Sequence, residues 1–214
     1  MSNCSLCHLF DRLDEVMAPD SLRERKKATT RHRLMKVALR LFDQQGFDGT
    51  TVEEIAAGAE VAPRTFFRYF PRKEDVLFGD HPEEVALIRE TLATRSADET
   101  VVDAVRRAIL AGVEKVVADP ALFLARSRLV ASVPAAHARN LYLDTRFEDV
   151  IAEAVAAGRN SDPATDLQAR VIATAVWSAN RAARDIWVAS DARRDPRELV
   201  NEAFDLLEHG LRQS

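Results

Sequence analysis

Two groups of side chains in this sequence have the types and spacing to do chemistry. The first is Cys4-Ser5-Leu6-Cys7-His8. It matches C-x-x-C-H, in which two thiols add to haem vinyl groups and the histidine ligates iron, and it also matches half of a zinc site. Haem attachment needs export and a second axial ligand. Zinc needs four ligands, whereas His32, His81, His137 and His209 are scattered without metal spacing. These residues therefore imply no metal and no cofactor. The second group is Thr51, Pro63, Arg64, Thr65, Phe67, Arg68, Tyr69 and Lys73. An arginine fork matches O6 and N7 of guanine, and hydroxyl and ammonium groups donate to phosphates, so this group points to duplex DNA.

A net charge of −4 over 214 residues argues against a nucleic-acid binder until its distribution is considered. Residues 21–75 hold 12 Lys/Arg and 8 Asp/Glu, a net +4, which leaves −8 for the rest of the chain. A basic segment on an acidic body is the asymmetry of a protein that meets a polyanion with one part only. At 47% hydrophobic residues, with 7 Gly and 8 Pro, the chain is neither collagen-like nor disordered. No apolar run reaches the roughly 20 residues of a membrane span, and acids stand where a secretory signal carries Lys or Arg, so a cytoplasmic protein is expected. Neither G-x-S-x-G, H-E-x-x-H nor a glycine-rich phosphate loop occurs, which speaks against an enzyme. An all-α enzyme and an effector-independent DNA-binding protein stand as the alternatives. A non-specific architectural protein would need a basic body, and this body is acidic.

The elements that must position the second group are helical. Leu34, Val37, Ala38, Leu41 and Phe42 form one stripe at helical period, ended by Gly46. Thr51 and Glu54 make a T-x-x-E capping box that opens a short helix with Val52, Ile55 and Ala56 inward. Gly58 breaks it, and Pro63 opens a second short helix that ends before Pro71. Short helix, turn and short helix are the parts of a helix-turn-helix, whose second helix enters the major groove. Inward packing of Ile55, Ala56, Val61, Phe66 and Phe70 leaves Pro63, Arg64, Thr65, Phe67, Arg68 and Tyr69 outward or along the rim. Thr51 heads the first of the two helices, where free N–H groups suit a phosphate. Tyr69 and Lys73 are expected to donate to phosphates, Lys73 from the start of the next helix. From there onward the chain reads as longer helices without a strand pattern. The expected fold is all-α with about nine helices, three short followed by six longer. Three parts are expected: 1–20 as a disordered or dispensable extension, 21–75 for DNA, and 76–214 for ligand binding and dimerisation.

The stretch from Thr30 to Leu77, with LFDQQGFDGTTVEEIAAGAEVAPRTFFRYFPRKEDVL, resembles the DNA-binding domain of the TetR family of bacterial repressors. The resemblance rests on Gly46-Phe47, Thr51, Ile55-Ala56, Val61, Thr65, Arg68-Tyr69-Phe70 and Lys73. It implies a homodimer that binds an inverted-repeat operator and is released by a small-molecule effector. Two positions depart from the family: Ala62 stands where a Ser or Thr often caps the recognition helix, and Phe67 where a Tyr often contacts the DNA backbone. The body, with RSRLVASVPAAHARN and ANRAARDIW, is similar to an actinobacterial branch that includes mycofactocin-linked regulators. That similarity implies a hydrophobic or acyl-CoA-like effector. Candidate ligand residues are Phe78, Leu87, Phe123, Arg126, Leu129, Tyr142 and Phe147, with Trp177, Asn180 and Arg181 on a long late helix. The last helix carries Leu199, Val200, Ala203, Phe204, Leu206, Leu207 and Leu211 on one broad face, and the resemblance implies that the last two helices pair with their copies.

If residues 1–16 are dispensable, their deletion leaves the unfolding midpoint and DNA affinity unchanged. Haem absorbance or stoichiometric zinc in the full-length protein, lost on deletion, would contradict this.

Overall fold

The computed structural model describes residues 21–210, so the expected extension at 1–20 and the Cys4, Cys7 and His8 cluster lie outside the described residues. Nine α-helices and one 3-10 helix, without strands, make up the regular structure among the described residues. They are α1 (Ser21–Gln45), α2 (Val52–Gly58), α3 (Pro63–Tyr69), the 3-10 helix (Glu74–Phe78), α4 (His81–Ala93), α5 (Val101–Ala118), α6 (Pro120–Ser132), α7 (Pro134–Ala157), α8 (Leu167–Ala189) and α9 (Pro196–His209). The all-α expectation holds. The expected order of lengths does not, because α1 runs for 25 residues. Its basic first half lacks Gly and Pro and is rich in Arg and Lys, good helix formers, so the helix begins well before its apolar stripe.

Helix starts follow the local chemistry. Pro63, Pro82, Pro120, Pro134 and Pro196 sit in the first turns of their helices, where a missing N–H costs nothing. The side chains of Asp119, Asp166 and Asp195 cap α6, α8 and α9. Asp166 also accepts from Ser161 and Arg159, which together hold its carboxyl far below the usual carboxylate range.

Apolar burial falls into two clusters. The first joins Leu34, Met35, Ala38 and Phe42 of α1 to Ile55, Phe66, Phe70, Val76 and Leu77, and continues into Leu122, Leu129, Val133 and Ala136 of α6 and α7. The second fills the body with Ile88 and Leu92, Val105 and Ile109, Ile151, Trp177, Trp187 and Phe204. Arginines strap α9 to α5: Arg197 donates twice to Glu114 at 2.8 Å, and Arg106 donates to Asn201 Oδ1 at 2.9 Å and Asp205 at 2.7 Å.

A polar knot sits inside the body. Asp144 is buried and accepts from Trp177 Nε1 at 2.9 Å and Asn140 Nδ2 at 3.3 Å. Phe147 stacks on Trp177 with centroids 3.9 Å apart, and His81 meets Phe147 edge-on at 4.8 Å. Removing Asp144 strands a buried indole N–H, which costs far more than losing a solvent-screened ion pair. Asp144→Ala is expected to lower stability by about 1–3 kcal/mol in urea unfolding. Glu153→Ala, which breaks the exposed Arg89–Glu153 pair, should change it by less than about 0.5 kcal/mol.

Candidate nucleic-acid interface

The interface begins where α1 stops. Gly46 takes a left-handed φ of +77° and its N–H closes on Phe42 O at 3.0 Å, turning the chain toward α2. Thr50 is buried and donates its hydroxyl to Gly46 O at 2.8 Å, which fixes the turn. The expected capping box is present: Glu54 N–H donates to Thr51 Oγ1 at 3.2 Å, and Thr51 N–H donates to Glu54 Oε2 at 2.8 Å. The Thr51 hydroxyl also donates to Glu54, at 2.9 Å, so both Thr51 donors close the box and none is left over for a phosphate. These bonds, with one from Gln45, hold the Glu54 carboxyl below its ordinary value, mainly through the Thr51 backbone N–H. A depressed carboxylate stabilises the fold above its unfolded pKa, and that contribution is lost as pH falls through the folded value.

Helix α3 spans seven residues from Pro63, and Ala62 before it provides no side-chain cap. Its position comes from its buried face. Phe66 is fully buried and Phe70 nearly so, their rings 5.4 Å apart over the α1 core. Opposite lie Pro63, Arg64, Phe67 and Arg68, all exposed, with Thr65 and Tyr69 half-buried at the rim. The structure thus brings together on one helix six of the eight residues expected to meet DNA. Arg64 makes no ion pair among the described residues, and the Arg68 guanidinium lies 5.2 Å from the Tyr69 ring centroid. Glu60, at a left-handed φ of 54° in the turn between α2 and α3, faces Arg33 of α1 at 3.5 Å. Along α1, Lys26, Lys27, Arg33, Lys36 and Arg40 are exposed and extend the cationic surface.

Lys73 is placed differently from the expectation that it reaches out to phosphate. Its ammonium donates to Phe47 O at 2.7 Å and Thr50 O at 2.9 Å, 4.3 Å from the Phe47 ring centroid. It ties down the α1–α2 connection with two of its three donors, and the element it precedes is the 3-10 helix.

Three contacts escaped sequence reasoning, two that join the first helices to the body and one that braces α6 against the start of α4. Buried Asp75 accepts from Arg139 Nε at 2.7 Å and from Arg72 N–H at 3.0 Å. Arg31 donates to Glu83 at 2.7 Å, and Arg126 lies 3.7 Å from Asp80. Arg31, Arg68, Tyr69, Lys27, Ala28 and Glu83 line a cleft of about 440 Å³. Each pair is 46 or more positions apart, beyond the reach of any local spacing rule.

The residues named for the effector do not gather at one place. Phe147 and Trp177 stack in the body, and Phe123 packs on the same cluster with Arg126 4.7 Å from its ring centroid. Phe78 and Leu129 pack instead on the first cluster. Leu87 and Tyr142 are exposed, Asn180 and Arg181 are half-buried, and Arg181 donates to Ser178 at 3.2 Å.

Two short helices that hold a cationic and apolar face outward from an all-helical body define a helix-turn-helix DNA-binding regulator. The family model described as bacterial regulatory proteins, tetR family, matches residues 34–78, and the MftR C-terminal domain matches residues 99–212. The chain belongs to the TetR family of bacterial regulatory proteins and is a transcriptional regulator, not an enzyme. It is 36% identical over 172 residues to the HTH-type transcriptional regulator TcmR of Streptomyces glaucescens, covering 78% of this chain and 76% of that one. It is 28% identical over 187 residues to MftR of Mycobacterium tuberculosis, named for regulation of mycofactocin biosynthesis, covering 87% and 93%. The fold is similar to Thermus thermophilus FadR, a TetR-family repressor solved with lauroyl-CoA, with a TM-score of 0.59, 25% identity and coverage of 86% and 96%. Among the described residues no helix is long and apolar enough to cross a membrane, and no cluster of His, Cys, Asp or Glu could hold a metal.

Truncating Lys73 removes a charged donor from two backbone carbonyls at once. Lys73→Ala is expected to cost about 1.5–3 kcal/mol in urea unfolding, in the absence of any DNA. An unchanged midpoint would mean that the ammonium is not a clamp.

Proposed function

We propose that this regulator is a cytoplasmic homodimer that represses from an inverted-repeat operator and is released by a small hydrophobic or acyl-CoA-like effector. The observation that carries the DNA reading is the exposed α3 face, where Arg64 makes no ion pair among the described residues. Arg64 reads guanine, Arg68, Tyr69 and Thr65 follow the adjoining backbone, and Thr51 and Lys73 hold α2 in register beneath them. Residues 21–75 serve the operator, and 76–214 serve the effector and the dimer.

Dimerisation through α8 and α9 is supported by their exposed apolar side chains. Leu167 is 77% exposed, Val171 57%, Ile186 50% and Leu206 55%. Such a face costs free energy in water and is relieved by a second copy. The effector reading is supported by the likeness to a repressor solved with lauroyl-CoA. In this chain the apolar part would enter beside Phe123, Phe147 and Trp177, with Arg126, Asn180 and Arg181 near the head group. Movement there reaches the first helices through Asp75–Arg139 and, by way of α4, through Glu83–Arg31.

Selection of duplexes from a random library, followed by titration at several salt concentrations, tests the reading. Sedimentation should give two chains per selected half-site pair. Arg64→Ala should weaken selected DNA by about 1–3 kcal/mol and relax one base pair per half-site, with little effect on scrambled DNA. Lauroyl-CoA, used as the probe, should lower DNA affinity while coenzyme A alone does not. A monomer, or an Arg64→Ala effect equal on both DNAs, would refute the corresponding part.

A further inference from the structure

On the outward face of α3, the side chain of Phe67 is unexplained by the fold. It is 52% exposed, while its neighbour Phe66 is fully buried and meets it edge-on at 5.6 Å. Exposing that much ring to water costs free energy without a partner. The ring has no hydroxyl, so it cannot donate to a phosphate. Helical spacing puts Phe67 four residues after Pro63 and three after Arg64. The face therefore presents an apolar ridge, Pro63 and Phe67, beside a cationic ridge, Arg64 and Arg68. The cations match a polyanion, and an apolar ridge beside them needs an apolar group in the same groove. In the major groove thymine alone among the four bases carries one, its C5-methyl.

We infer that Phe67 is a specificity-determining residue that packs on a thymine C5-methyl in the major groove. This rests on the proposed reading of α3 as the recognition helix. Side chains three apart on a helix are about 5–6 Å apart at Cβ, and bases rise about 3.4 Å per step, so the thymine lies within about two base pairs of the guanine read by Arg64. The Phe66 contact limits the ring's freedom, so the methyl meets a surface already in place.

The test uses the full chain and duplexes selected from a random library. Wild type should enrich a thymine next to the Arg64-dependent guanine. Replacing that thymine by uracil in one half-site removes only the methyl and should weaken binding about fourfold, the worth of one buried methyl group. Phe67→Ala should bind thymine and uracil duplexes alike, and Phe67→Leu should keep part of the difference. The uracil comparison on wild type needs no variant to fold. Equal affinity of wild type for the two duplexes, no thymine near the guanine, or an undiminished difference in Phe67→Ala overturns the inference alone. Failure to enrich any sequence overturns the DNA-binding reading as well, so the two failures are distinguishable.

Discussion

A helix of seven residues does not persist in water by itself, because its nucleation cost is not recovered over two turns. Helix α3 has no side-chain cap at Ala62 either. What holds it is the burial of Phe66 and Phe70 on Leu34, Ala38 and Phe42 of α1, with Ile55 of α2 closing the same core. Fully burying a phenylalanine contributes on the order of 1.5–3 kcal/mol. The pitch of that pair of rings decides which four side chains of α3 stand outward. The outward face of α3, proposed to read DNA, therefore depends on an apolar contact made on the opposite side of the helix.

The same contact ties the reading head to the body. The first core continues through Val76 and Leu77 into Leu129, Val133 and Ala136, so the 3-10 helix lies over α6 and α7 with no linker between. Gly79 allows the close approach, since a Cβ there would collide with Met35 of α1. Buried Asp75, held by Arg139 of α7, adds a charged pin. From the body centre, Trp177, Phe147 and His81 form an unbroken row of rings ending at the first turn of α4, two residues before Glu83, which holds Arg31. A displacement of the Phe147–Trp177 stack has packed neighbours to push at every step, which is the physical requirement for coupling between distant sites.

Periodicity and capping chemistry were enough to read the helices and the helix-turn-helix, because both are written within four residues. The stripe from Leu34 to Phe42, the Thr51–Glu54 box and Pro63 are local signals, and the structure contains each of them. Lys73 was legible as a donor but not as an internal one, since its acceptors, the carbonyls of Phe47 and Thr50, lie 26 and 23 residues away. Nothing in the sequence around Asp75 and Asp144 marks them as buried. Only tertiary packing brings Arg139 and Trp177 to them. The effector residues scattered for the same reason: aromatic and arginine residues on amphipathic helices resemble one another in sequence whichever core they join.

The separation of faces on α3 has an evolutionary consequence. Pro63, Arg64, Phe67 and Arg68 are exposed and lie outside both apolar cores, whereas Phe66 and Phe70 carry the helix. Mutation can therefore explore Arg64 and Arg68 at nearly constant stability, much as a key blank accepts new cuts without changing its shank. On the proposed reading of α3, a duplicated copy of this gene could drift toward a new address in the genome with its fold intact, because the residues that would name the address are largely not those that hold the fold.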